Sequence, residues 1–115
     1  ALGATINDTT INQLKCSVIA GAANNQLMDE KLHGEILFQK GIVYAPDYLI
    51  NAGGVMNCYA EIHDISDAKV MEMAGNIYQT TTDILTSSRN ENIPTSLAAN
   101  RLAEKRISEE SEKLK

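Results

Sequence analysis

The sequence predicts an α/β fold: a short piece of parallel sheet followed by a helical half. Three observations carry that prediction. Val18-Ile19-Ala20-Gly21-Ala22-Ala23 is a brief run, apolar on both faces and closed by Asn24-Asn25-Gln26, as a buried parallel strand would be. Ile42-Val43-Tyr44-Ala45-Pro46 is a second such run, stopped by proline. Between them lies a helical stretch. Strand, helix and strand in so few residues make a βαβ unit with a right-handed crossover.

The elements follow in chain order. Asn7 or Asp8 caps a short helix that turns Ile11 and Leu14 inward. After the first strand, the helix over Asp29–Gly41 carries Met28, Leu32 and Ile36 on one face, and Gly41 stands at its C-cap. His33, among charged neighbours, is expected to face solvent. Asp47 follows a proline and is expected to cap the next turn. Asn51-Ala52-Gly53-Gly54 reads as a backbone-permissive break. Three helices are expected beyond it. The first covers Val55 to His63. The second covers Ala68 to Ser88, capped by Asp67 or Ser66, with Val70, Ala74, Ile77, Thr81 and Leu85 along one stripe. The third enters through Pro94-Thr95-Ser96 and runs to about Lys115, with Ala99, Leu102, Ala103 and Ile107 inward. Its outer face pairs Lys105 with Glu109, Arg106 with Glu110 and Glu109 with Lys113, a solvated charge pattern. The chain thus divides into an α/β part, 1–52, and a helical part, 53–115. Two strands do not make a stable sheet alone, and the opening Ala1-Leu2-Gly3-Ala4 is already small and apolar. Both features predict a fragment of a larger fold.

Composition narrows the function. The 115 residues carry 15 acidic and 10 basic side chains, a net charge of −5, which argues against nucleic acid or an anionic membrane as partner. Four tyrosines, one phenylalanine and no tryptophan leave little for base stacking. No apolar run approaches the ~20 residues of a membrane span, and no secretory signal is visible. Cys16 and Cys58 are too few for a disulfide scaffold, so reduced thiols and a cytoplasmic location are expected. With His33 and His63 they form no metal-ligand spacing.

Open parallel sheets bind ligands beyond the carboxyl ends of their strands. Here those ends carry Asn24-Asn25 and Ala45-Pro46-Asp47, with Asn51-Ala52-Gly53-Gly54 close behind. Asparagine offers a donor and an acceptor without charge, which suits a carboxamide, a ribose hydroxyl or a carboxylate; the same pair also simply tolerates a tight turn. Gly53-Gly54 before a helix offers N–H groups to an anion or a ring, or serves as a hinge between layers. Val55 and Cys58, three apart on one helix face, line a side-chain pocket or pack in a core. Cys58 has no basic partner on its own face, which disfavours it as a nucleophile. The seven glycines, at 3, 21, 34, 41, 53, 54 and 75, never take the G-x-G-x-x-G spacing that holds a dinucleotide pyrophosphate.

The stretches Ala20-Gly21-Ala22-Ala23-Asn24-Asn25-Gln26-Leu27 and Gly41-Ile42-Val43-Tyr44-Ala45-Pro46-Asp47-Tyr48-Leu49-Ile50-Asn51-Ala52-Gly53-Gly54-Val55 resemble the amino-acid dehydrogenase family, which covers glutamate, leucine, phenylalanine and valine dehydrogenases. The opening Ala-Leu-Gly-Ala and the closing Ala-Ala-Asn-Arg-Leu-Ala-Glu-Lys-Arg-Ile are also similar, so the resemblance covers essentially the whole chain. Ile50, and Asn57-Cys58-Tyr59-Ala60-Glu61 further on, are most similar to the leucine branch.

The resemblance implies an enzyme that oxidatively deaminates an L-amino acid to its 2-oxo acid and ammonia, with NAD as hydride acceptor. It implies that this chain is the second half of a Rossmann-like NAD-binding domain plus the C-terminal helices that fold back toward an interdomain cleft. The family's catalytic lysines and aspartate are then expected upstream, leaving no catalytic residue here and a fragment inactive alone. Carried over by position, Asn25 lies near the nicotinamide and the substrate carboxylate. Ala1, Leu2, Ala22 and Ala23 give small or backbone contacts to nicotinamide and ribose. Asn51 lies near the nicotinamide carboxamide. Val55 and Cys58 line the substrate side-chain pocket, where Cys58 departs from the usual valine. Asn24 occupies a variable position. A homo-oligomer, an octamer in the leucine branch, is implied as well. The alternatives are valine or phenylalanine specificity, and a non-catalytic interaction module derived from the family.

Overall fold

Two short parallel strands set the frame: β1, Val18–Ile19, pairs with β2, Val43–Tyr44, in the register Val18↔Val43 and Ile19↔Tyr44. The structure, a computed structural model, describes residues 2–113. The ladder continues as Val43 N–H donates to Ser17 O and Ala45 N–H to Ile19 O, both at 2.9 Å. A second extended contact lies beside it, an isolated parallel bridge between Ile6 and Leu27. Both strands are shorter than the apolar runs suggest. Val18 is 58% exposed and Val43 41%, so the expectation of strands buried on both faces fails: among the described residues nothing covers that side of the pair.

The crossover helix α1, Glu30–Gln39, is defined by local chemistry at both ends. Asp29 Oδ1 accepts the Leu32 N–H at 2.8 Å, an N-cap bond. At the other end Gly41 takes φ +70°, Gly41 N–H donates to Phe38 O and Ile42 N–H to Leu37 O, each at 3.0 Å. That pair of bonds is a Schellman motif, which needs the left-handed residue that glycine supplies. The inward face differs from the expected one. Met28 and Leu32 are exposed; His33, Gly34 and Leu37 are buried. The helix is rotated so that Gly34 lies against the start of the last helix, where an added Cβ would stand 2.7 Å from Ser96 Oγ.

His33 is therefore a correction. Its side chain is fully buried rather than solvent-facing. Nδ1 accepts the Asp29 N–H at 2.9 Å, so the ring proton sits on Nε2, which donates to Asp8 Oδ1 at 3.0 Å. The imidazole thus ties the 3-10 turn region, Ile11–Gln13 and the residues before it, to the N-terminus of α1. In that region Asn7 Oδ1 accepts from the Thr9 and Thr10 N–H groups, a turn ahead of the 3-10 helix, whose N-cap is Thr10 without a side-chain cap bond rather than the expected Asn7 or Asp8.

The helical half comprises α2, Asp47–Ile50; α3, Ala52–Ile62; α4, Asp67–Glu91; and α5, Thr95–Lys113. The expected break at Asn51–Gly54 is mostly helix: Gly53 and Gly54 lie in the first turn of α3. α4 starts after Ser66, whose side chain makes no cap bond, and ends on Asn92 in the left-handed region, φ +54°. Asn92 N–H donates to Arg89 O and Ile93 N–H to Ser88 O, the same closure that Gly41 gives α1. On α5, Ala98 and Ala99 are buried, whereas Ala103 and Ile107, expected inward, are exposed.

Two apolar clusters hold these elements. One joins Ile6, Ile11, Leu27, Leu37, Ile42 and Tyr44; the other joins Leu49, Ile84, Ala98 and Ala99. The bond from Thr95 Oγ1 to Tyr44 O, 2.5 Å, links Tyr44 of the first to the start of α5, which carries Ala98 and Ala99 of the second. No helix of the described residues is long and apolar enough to cross a membrane. The radius of gyration is 15.6 Å, against about 13 Å for a compact domain of this length, because the 25-residue α4 extends the molecule to 45 Å.

Candidate functional site

The crevice forms where both strands end. After β1 the chain turns through Gly21 to Asn25, braced by Gln26 Nε2 donating to Gly21 O at 2.8 Å. At Gly21 an added Cβ would lie 2.9 Å from that amide nitrogen, so the Gln26 side chain would have to shift. Asn25 closes the turn in the left-handed region, φ +53°. After β2 the chain passes Pro46 into α2, which delivers Asp47, Tyr48 and then Asn51 toward the same place.

Asp47 corrects another expectation. It caps nothing; it is buried, and each carboxylate oxygen is engaged. Oδ2 accepts the Asn25 N–H at 2.8 Å and Oδ1 the Tyr44 hydroxyl at 2.8 Å. Burial first, and the bond to Asp47 second, push the Tyr44 phenol well above its ordinary range, so it stays a donor. Tyr48 is also raised, by burial and then by the charge of Glu30. Its hydroxyl donates to Asn100 Oδ1 at 3.1 Å, which pins α2 to α5. Across the crevice, Asn51 Nδ2 donates to Asn24 Oδ1, so the two strand ends are joined by a pair of carboxamides.

Two hollows result. A cleft of about 720 Å³ is lined by Ala22, Asn24, Asn25, Asn51, Val55 and Cys58 among others, including Glu30, Tyr44, Asp47 and Tyr48. A shallower one of about 890 Å³ lies beyond β1, against Leu2, Gly3, Ala22, Ala23 and Asn25. The residues singled out from sequence are therefore brought together: Asn25, Asn51, Val55 and Cys58 around the first, Leu2 and Ala23 beside the second, with Ala22 and Asn25 shared. Ala1 lies outside the described residues. Val55 is 74% exposed and Cys58 is a free, exposed thiol, so neither is core packing. Glu30, Tyr44 and Tyr48 were not anticipated as lining residues, and Asp47, though placed at a ligand-binding strand end, was expected to cap a turn. The only signal for the two tyrosines was their place in the Tyr-Ala-Pro-Asp-Tyr run. Among the described residues no three His, Cys, Asp or Glu side chains are grouped to hold a metal ion.

A parallel strand pair with a crossover helix, and a polar crevice at its carboxyl ends, is part of a Rossmann-like α/β domain. The chain belongs to the Glutamate/Leucine/Phenylalanine/Valine dehydrogenase family, whose model matches residues 1–114. It is 50% identical to leucine dehydrogenase of Bacillus cereus and 52% identical to leucine dehydrogenase of Bacillus subtilis, each over 107 residues, 93% of this chain and 29% of the relative. The crystal structure of L-tryptophan dehydrogenase from Nostoc punctiforme matches it with a TM-score of 0.90 at 47% identity, over 95% of this chain and 32% of that one. The chain spans under a third of the length of the curated relatives it matches. Those relatives are amino-acid dehydrogenases, hence oxidoreductases.

Proposed function

We propose that this chain is the C-terminal part of an NAD-dependent dehydrogenase for leucine and related branched-chain L-amino acids, a cytoplasmic homo-oligomer that releases a 2-oxo acid and ammonia. The observation that carries this reading is the convergence of Asn25, Asn51, Val55 and Cys58 on one cleft at the strand ends. The catalytic lysines and aspartate belong to chain beyond these 115 residues.

The residues present fit the nicotinamide end of the cofactor. The hollow beyond β1 is walled by Gly3, Gly21, Ala22 and Ala23, which let a flat ring come close to the backbone. The carboxamides of Asn25 and Asn51 offer donors and acceptors without a charge that would oppose a cationic ring. The bound cofactor would supply the hydride acceptor. Asn25 orients ring and substrate carboxylate; Asn51, held by Asn24, orients the ring carboxamide; Val55 and Cys58 exclude water around an aliphatic side chain.

Hydrophobic pockets discriminate by only about 1–3 kcal/mol per methylene. Leucine, isoleucine and valine are therefore all expected as substrates. Steady-state kinetics of the full-length enzyme with NAD+ and a panel of amino acids tests this. A wide preference for phenylalanine, tryptophan or glutamate overturns the pocket assignment, and no turnover of any amino acid favours a non-catalytic module.

A further inference from the structure

We infer that Asp47 is a positioning residue that acts through Asn25, fixing the height and direction of that carboxamide in the cleft; this rests on the assignment of Asn25 to the cofactor site. Asn25 is exposed and sits in the left-handed region, φ +53°, which asparagine tolerates. Two bonds hold its backbone there. Its carbonyl accepts the Ala4 N–H at 2.7 Å, and its own N–H is taken by Asp47 Oδ2 at 2.8 Å. Asp47 is 22 residues away in sequence, so the bond ties the end of one strand's loop to the first turn after the other strand.

Asp47 is itself immobilised. Tyr44, at 3% exposure, donates to the second carboxylate oxygen and orients the first toward Asn25. The carboxylate gives charge-assisted bonds, which are shorter and stronger than neutral ones. The result is an exposed amide on a backbone fixed at both its polar groups, ready before any ligand arrives. Preorganisation of this kind lowers the ordering cost of binding.

The test uses the full-length enzyme and NADH binding by fluorescence titration, with thermal unfolding in parallel. Asn25→Ala is expected to weaken NADH by about ten-fold. Asp47→Ala is expected to approach that loss, and Asp47→Asn, which keeps an acceptor for the Asn25 N–H, to recover most of it. Asp47→Ala added to Asn25→Ala is expected to cost no further affinity, because the bond has nothing left to position. Ile84→Val, in the distant helical core, serves as the control for lost stability and is expected to leave affinity unchanged.

Additive losses in the double variant overturn the inference, as does wild-type affinity in Asp47→Ala. Where Asp47→Ala does not fold, Asp47→Asn decides: its affinity must lie between wild type and Asn25→Ala, and adding it to Asn25→Ala must cost nothing. Wild-type affinity of Asn25→Ala itself defeats instead the assignment of Asn25 to the cofactor site.

Discussion

Replacing His33 by alanine separates two readings of one residue. A histidine on a solvated helix face would be lost for within about 0.5 kcal/mol. The structure instead buries the ring fully, with Nδ1 as the acceptor of Asp29 N–H and Nε2–H against Asp8. Emptying that space costs about 2–4 kcal/mol, as for other large-to-small core changes. The stranded Asp29 N–H adds about 1–3 kcal/mol, part of which water entering the cavity offsets. The net expectation is a loss of about 3–5 kcal/mol in the local stability of α1. The suitable assay is native-state hydrogen exchange of the α1 amides in the full-length protein, which reads local opening whether or not the whole chain unfolds in one step. A loss of 3 kcal/mol is about a 150-fold fall in protection. His33→Gln, which can present an oxygen to Asp29 N–H, should retain part of it. Protection in His33→Ala within about threefold of wild type would refute the buried acceptor.

Three further outcomes are expected. Gly34→Ala gains about 1 kcal/mol of helix propensity but drives a Cβ to 2.7 Å from Ser96 Oγ, so the melting temperature of the protein should fall; in a Ser96→Ala background the nearest remaining atom is Ser96 Cβ at 3.7 Å and the same change should raise it. Equal shifts in both backgrounds would mean the two helices are not in that contact. At Asn92, φ +54°, valine should cost about 1–2 kcal/mol and glycine almost nothing, read as the chemical-denaturation midpoint of α4; a tolerated valine would contradict the left-handed closure. Glu91 is held below the ordinary carboxylate range by Ser87 and then by Arg101, so its small contribution is present above the ordinary value and fades as pH falls through the lowered one; a carboxyl NMR titration should show Ser87→Ala moving it back up.

The place of the crevice was readable from local rules, whereas the roles expected of Asn25, Asn51, Val55 and Cys58 came from the family resemblance. Two apolar runs around a helix imply a parallel pair, and parallel pairs put their loops at one end. That alone gathers Asn25 and Asn51, and the helix that follows brings Val55 and Cys58. Asp47 was misread for the opposite reason. After a proline, a carboxylate commonly caps a turn, and no local rule reveals that its partner is a backbone N–H on another loop.

The sequence by itself determined the βαβ order, the end of α1 at Gly41 and the strand ends at which the crevice forms. Each of these depends on neighbours within a few positions, through cap bonds, backbone freedom and apolar runs. Only the tertiary structure decided which face of α1 is buried. Met28, Leu32 and Ile36 and the alternative His33 and Leu37 both have helical spacing, so periodicity cannot choose between them. The choice is made by the contact of Gly34 with Ser96 and by the polar partners that the 3-10 region and Asp29 offer His33. An interior histidine is tolerated only when both ring nitrogens are satisfied, and residues far apart in the chain supply that satisfaction only once it has folded.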